Sequence, residues 1–274
     1  ACWGRSGPAA AGRAAEAAAR ALDLSGSLSK EDRLLVEGQR HETTRRWEKA
    51  AESYRALHAL FPDDVEYGLL VARVETKGGR SREALRTLEA LRATTGPSEG
   101  SAAALDLAET EAHLDLSEHA AALRSAARAV ETARRQGAKL LVARALLHQA
   151  TALLRTGDAG RSVQALLEAR TLFAAAGDRG GEARAVNRLA NVRYEAGDYE
   201  GARVVFEQAL EIWRAVGNKA GVSSGLNNVA DSLLMMGDLE RARPLFEESV
   251  SAAREAGDRP SEGLKVGNLG ELLL

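Results

Sequence analysis

Residues 178–217 read DRGGEARAVNRLANVRYEAGDYEGARVVFEQALEIWRAVG, and residues 218–257 read NKAGVSSGLNNVADSLLMMGDLERARPLFEESVSAAREAG. They are one unit of 40 residues written twice. The punctuation keeps step beyond them. Gly157-Asp158, Gly197-Asp198 and Gly237-Asp238 are each 40 apart, as are Gly177-Asp178, Gly217-Asn218 and Gly257-Asp258. A period of this length decides the fold, because a unit so short cannot bury its own apolar face and needs a neighbour to cover it.

Each unit reads as two helices. In the second half of the first copy, Ala202, Val205, Phe206, Ala209, Leu210 and Trp213 recur at helical spacing and fall on one stripe. Ala242, Leu245, Phe246, Ser249, Val250 and Ala253 repeat them. Glycine accepts the left-handed conformation that ends a helix. The Asp or Asn after it offers an oxygen to the unpaired N–H groups that start the next one.

These residues resemble tetratricopeptide repeats, in the longer variant found in kinesin-light-chain-like and bacterial regulatory arrays. The matching positions are Asn187, Leu189-Ala190, Gly197-Asp198-Tyr199, Ala202, Phe206 and Ala209-Leu210, then Asn228-Val229-Ala230, Gly237-Asp238-Leu239, Ala242 and Phe246. The resemblance implies an all-α, right-handed superhelical solenoid of stacked antiparallel helix pairs.

Working outward, residues 102–257 divide into four such units of about 40 residues. Residues 258–274 read as the first helix of a further, truncated unit, with Asn268 standing 40 after Asn228. Residues 96–101, Gly-Pro-Ser-Glu-Gly-Ser, read as a loop where the period changes. Residues 29–95 hold two units of about 34 residues; Ala50 and Ala84, Tyr54 and Leu88, and Leu57 and Leu91 are 34 apart. Ser29 is placed to cap the first of their helices, and Trp47 and Tyr54 read as packing residues. Pro62 stops a helix, pushing Phe61 out of the helical region. Residues 1–28 are either the remnant of a preceding repeat or an Ala-rich tail. Pro244 breaks the local rule, since it falls inside a helix and removes a hydrogen bond. The truncated last helix carries Leu264, Val266 and Leu269, so fraying or self-association is expected there.

Composition narrows the function. The chain has 274 residues, a net charge of −2 and one cysteine. Near-neutrality gives no general reason to expect nucleic acid or an anionic membrane. A lone Cys2 forms neither an internal disulfide nor a cysteine metal cluster. No apolar run reaches the ~20 residues of a membrane helix, and no signal peptide is read, so a cytoplasmic location is expected. Gly96-Pro97-Ser98-Glu99-Gly100 matches a hydrolase nucleophile pattern, but a helix and not a strand precedes it. Ser27-Leu28-Ser29-Lys30 suits capping better than catalysis. No phosphate-binding glycine motif and no metal-ligand spacing of histidines appears. The expectation is a protein that is not an enzyme and needs no cofactor or metal.

The resemblance implies that first helices line a groove commonly holding a peptide. Counting back from each turn, the candidate positions are Arg144, Leu147, His148, Thr151 and Arg155; then Arg184, Asn187, Arg188, Asn191 and Glu195; then Ser224, Asn227, Asn228, Asp231 and Met235; and Asn268. Asn can donate to and accept from an extended backbone, and Arg can grip a carboxylate with two bonds. The expected partner is a protein or peptide segment, acidic or carboxylate-ended, with Glu195 and Asp231 counting against that charge preference. The Asn residues also have a purely structural reading, satisfying neighbouring backbone. A ligand-sensing regulatory domain for a small molecule is the alternative. Residues 28–68 look like bacterial arrays fused to serine/threonine kinases or winged-helix regulators, which implies a larger signalling protein.

Overall fold

The computed structural model of the protein describes residues 29–95 and 99–272. Among the described residues all regular structure is helical. The helices are α1 (Lys30–Thr43), α2 (Trp47–Leu60), α3 (Val65–Lys77), α4 (Ser81–Thr95), α5 (Glu99–Asp115), α6 (His119–Arg135), α7 (Lys139–Arg155), α8 (Ala159–Ala175), α9 (Arg179–Glu195), α10 (Tyr199–Ala215), α11 (Lys219–Met235), α12 (Leu239–Glu255) and α13 (Arg259–Leu272). They form two bodies, one of α1–α7 and one of α8–α13. Within each body, every helix packs on the next, which makes antiparallel hairpins. The odd-numbered helices are the first members of the hairpins. No described helix is long and apolar enough to cross a membrane.

The Gly-Asp punctuation works as its chemistry dictates. Gly137, Gly157, Gly177, Gly197, Gly217, Gly237 and Gly257 all sit at φ of 65–88°. Arg45 and Ser117 hold the same left-handed place in turns that lack glycine. Past each turn, Asp178, Asp198 and Asn218 accept from the backbone N–H three residues on, at 2.8, 2.9 and 3.0 Å. Each such cap is worth ~1 kcal/mol over alanine. Ser29 caps α1 in the same way, accepting from the Asp32 N–H at 3.1 Å.

One expectation changes. The loop at 96–101 is shorter, since α5 begins at Glu99. The Ala-Ala-Ala-Leu run from 102 propagates helix backward through Ser101 and Gly100, a glycine penalty of only ~1 kcal/mol. Pro244 lies inside its helix as read, six residues into α12, which continues to Glu255. At that depth the missing N–H removes one intrahelical hydrogen bond, to the Glu240 carbonyl, and the helix carries that loss. Residues 1–28 and 96–98, with the reading of a preceding repeat and the Ser98 motif, lie outside the described residues.

In the body of α1–α7, Tyr54 and Leu57 pack on Val71 and Val74, and Leu88 and Leu91 pack on Leu105 and Ala112. Tyr54 is fully buried, and its hydroxyl donates to Glu42 at 2.7 Å. Trp47 is half-buried, with the Lys77 ammonium 5.8 Å from its ring centre. Buried acids tie neighbouring helices together. Glu75 on α3 accepts from Arg55 of α2 at 2.6 Å and from Thr87 of α4 at 2.9 Å. Asp106 on α5 accepts from Arg92 of α4 and Arg128 of α6 at 2.6 and 2.9 Å.

In the other body, Phe206 and Phe246 centre a core with Ala190, Ala202, Val229, Ala230, Leu233 and Ala242. The alanines let helix axes approach and the phenylalanines fill the space between them. A second cluster joins Ala183, Val186, Ala209 and Trp213. At the end of the stack, α13 exposes Leu264 and Val266, at 68% and 46%. Val266 stands 40 after Leu226, which α11 buries completely. A Cβ added at Gly263 or Gly267 of α13 would meet nothing within 4 Å. Gly263→Ala with Gly267→Ala should therefore stabilise α13 by about 0.5–1 kcal/mol per site. Amide hydrogen exchange over residues 261–270 checks this: slower exchange is expected, and faster exchange would show that the glycines meet a need for space.

Candidate partner-binding face

The candidate face is built from what the packing leaves over. Helix α9 buries Gly181, Ala183, Ala185, Val186 and Ala190. The ring of Phe173 on α8 occupies the space where a Gly181 Cβ would be, 2.2 Å away. With those positions committed to the core, Arg184, Asn187, Arg188, Asn191 and Glu195 remain at least partly open to solvent on the opposite side. Helix α11 repeats the arrangement with Ser224, Asn228, Asp231 and Met235, and α13 continues it with Asn268.

The asparagines on this face are connected. Asn228 donates from Nδ2 to Oδ1 of Asn187 at 2.9 Å, linking α9 to α11. Asn268 donates from Nδ2 to Oδ1 of Asn227 at 3.0 Å, linking α11 to α13. Asn227 in turn donates to Asp231 at 2.8 Å. Both inter-helix pairs are 41 residues apart, one more than the repeat, so successive first helices meet with a displacement of one residue. Asn227 is 7% exposed and engaged on both sides, so it supports the ladder from below. Asn187, Asn191, Asn228 and Asn268 are half-buried. Each inter-helix bond uses only part of an amide that has two donors and two acceptor lone pairs.

The charged candidates occupy the same face. The Arg184 guanidinium lies 3.9 Å from the Asp178 carboxylate and 5.9 Å from the Phe173 ring centre. Arg188 is half-buried beside Asn187. Toward the other end of the helices stand Glu195 and Asp231. Tyr194, in the last turn of α9, packs edge-on against Tyr199 with ring centres 5.2 Å apart. Burial raises its phenol above the ordinary range, and the charge of Asp231 adds to the effect.

Arg144, His148 and Arg155 belong to α7, in the other body. His148 approaches Glu111 of α5, Nε2 to Oε1, at 3.3 Å. Burial works to raise the Glu111 carboxyl, but the hydrogen bond and charge of His148, with Lys77 and Arg73, outweigh it and hold the carboxyl below its usual range. Arg144 and Arg155 are exposed, and Leu147 is core, not lining. Arg73 and Lys77 of α3 reach Glu42 of α1 at 2.5 and 3.5 Å. Helices α1 and α3 are thus joined by ion pairs, and α9, α11 and α13 by neutral amides. Glu42, Arg73, Lys77 and Glu111 were not candidates from sequence. The signal was there as opposite charges on consecutive first helices, without the Asn pattern to draw the eye.

Residues 181–255 match the family model described as tetratricopeptide repeat. A search of curated proteins finds no match. Among solved structures, the chain is similar to a Rap protein complexed with competence and sporulation factor, at 14% identity and a TM-score of 0.65, covering 91% of this chain and 77% of that one. It is similar to a signal transduction ATPase with numerous domains that carries a tetratricopeptide repeat sensor, from Pyrococcus horikoshii, at 20% identity and a TM-score of 0.67. That match covers 89% of this chain and 38% of the ATPase. A third similarity is to kinesin light chain tetratricopeptide-like repeats from Podosopora anserina, at 17% identity and a TM-score of 0.57, over 72% of this chain and 97% of that one. The all-helical hairpins, the glycine turns and these likenesses agree: the protein is an array of tetratricopeptide-like repeats, a fold that commonly mediates interaction between proteins.

Proposed function

We propose that the protein is a non-catalytic interaction module that holds an extended partner segment across α9, α11 and α13. The observation that carries the reading is the two amide bridges, Asn187–Asn228 and Asn227–Asn268, which leave Asn187, Asn228 and Asn268 half-buried on three successive first helices. Uncharged amides fixed at regular intervals suit the alternating N–H and C=O groups of an extended backbone. Arg184 and Arg188 beside them supply the preference for a carboxylate. The Rap structure is of a complex with a competence and sporulation factor, and the ATPase carries a tetratricopeptide repeat sensor. Both support placing this module in a larger signalling or regulatory protein.

Asn228→Ala should weaken partner binding about threefold to tenfold, the equivalent of one neutral hydrogen bond of roughly 0.5–1.5 kcal/mol. The loss should be nearly the same at low and high salt. Arg184→Ala with Arg188→Ala should weaken it by more at low salt and by less at high salt, because screening already reduces the wild-type attraction. Titration of a peptide selected on the intact chain measures both. Equal affinity of wild type and both variants would remove this face as the site.

A further inference from the structure

The connection from α2 to α3 is built unlike those later in the chain. After α6, α8, α10 and α12 the turn is made by Gly137, Gly177, Gly217 and Gly257 at positive φ. Here Phe61-Pro62-Asp63-Asp64 joins the hairpins without glycine. Pro62 stops α2. The Phe61 N–H donates to the Leu57 and His58 carbonyls at 3.1 and 3.2 Å, and the Asp64 N–H donates to the Phe61 carbonyl at 3.1 Å. The turn is fixed by its own backbone, yet it leaves apolar bulk in water: Leu60 is 42% exposed and Phe61 38%. With Pro62 and Val65 they line an open concavity of about 540 Å³. That is within the ~300–1,000 Å³ range of ligand sites. The Phe61 ring leans on Tyr67 of α3, with ring centres 5.8 Å apart and planes tilted by 57°, and the Tyr67 hydroxyl donates to Glu31 of α1. The ring is thus braced on one side and open to solvent on another.

The rim of this concavity carries one sign of charge. Asp63, Asp64 and Glu66 line it and are exposed. Asp64 accepts from the Glu66 N–H at 2.9 Å as the cap of α3. Among the described residues none of the three is ion-paired, and Lys30 and Arg33 of α1 form no ion pair with them. We propose that the concavity docks an arginine side chain of a partner protein, its guanidinium over the Phe61 ring and in reach of Asp63 and Glu66, its stem against Leu60, Pro62 and Val65. Arginine fits on three counts. Its stem covers apolar surface while its head stays at the wet rim. Its planar head stacks on an aromatic face. Its fork of donors matches a carboxylate. A purely apolar occupant would desolvate the rim carboxylates without pairing them. A second copy joined through this same turn would set the acids of both copies against each other, a like-charge contact that costs affinity. This surface lies in the body of α1–α7, is independent of the amide bridges, and has the charge preference opposite to that proposed for α9, α11 and α13.

Titration of the 15N-labelled full chain with acetyl-Gly-Arg-Gly amide tests this, read from the backbone amides of residues 60–67. Saturable shifts at this turn are expected. The same tripeptide with citrulline in place of arginine keeps the shape and loses the charge, and should bind about fivefold more weakly. Asp63→Asn with Glu66→Gln should weaken the arginine peptide about threefold. Phe61→Leu, which keeps apolar bulk and removes the aromatic face, should weaken it about twofold to fivefold. Circular dichroism should not change in either variant, because these side chains are exposed. Equal binding of the arginine and citrulline peptides, or binding that leaves residues 60–67 unmoved, overturns the proposal. Shifts of the same signals on dilution of the protein alone would assign the concavity to a second copy and overturn it too.

Discussion

Replacing Phe206 by alanine is expected to destabilise the body of α8–α13 by roughly 3–5 kcal/mol. The ring is 2% exposed, and its neighbours in the core are Ala190, Ala202, Ala230 and Ala242, with Val229, Leu233 and Phe246. Alanines have no rotamers with which to fill a vacated ring. The cavity would stay open, and both the transfer and cavity contributions would be lost. In a repeat array stability is close to nearest-neighbour. Hydrogen exchange should therefore quicken first in α9–α12, while the amides of α2 and α3 keep their protection. Guanidinium melts followed by circular dichroism give the total, and an unchanged midpoint would contradict the assigned core.

The second large effect runs against a general rule. Glycine-to-larger substitution inside a helix ordinarily helps, by up to ~1 kcal/mol for alanine. At Gly221 in the first turn of α11 it should hurt. A Cβ there would lie 2.5 Å from the Cδ1 and Cγ atoms of Trp213, a distance at which one side must move. Trp213 is 4% exposed and packed against Ala183, Val186 and Ala209, so its indole has nowhere to retreat. Gly221→Val should cost about 1–3 kcal/mol through overpacking. Combining it with Trp213→Leu should recover part of that loss, because residues in contact are not additive. If the single valine variant is as stable as wild type, the close packing of α10 on α11 is wrong.

These cases show what was readable in the sequence. The helix boundaries at Gly177-Asp178, Gly197-Asp198 and Gly237-Asp238 were, because left-handed glycines and N-caps act within a few residues. The apolar stripe through Phe206 and Phe246 was as well, since burial follows a period of 3.6. The positions of Asn187, Asn228 and Asn268 on first helices followed from the same count. Their pairing did not. That Asn187 meets Asn228, and Asn227 meets Asn268, depends on a one-residue displacement between successive hairpins, set by packing over the whole body. The buried acids were hidden for a related reason. Nothing in the sequence marks Glu75, Asp106 and Glu182 as buried, yet each is under 7% exposed and ion-paired to arginine. For Glu75 and Asp106 those arginines come from neighbouring helices. Glu182 also lies 4.0 Å from Arg170 of α8. A carboxylate's partner 20 residues away leaves no local pattern.

The most direct test of the account uses the side-chain amides themselves. The chain contains six asparagines, at 187, 191, 218, 227, 228 and 268, so their side-chain NH₂ signals can be assigned by single substitution in a 15N-labelled protein. Titration with the peptide selected on the intact chain should shift the amides of Asn187, Asn191, Asn228 and Asn268. The amide of Asn218, whose oxygen caps α11, should remain in place. Shifts confined to Asn218, or saturable binding that leaves all the first-helix amides unmoved, would contradict the amide ladder as the partner-binding face.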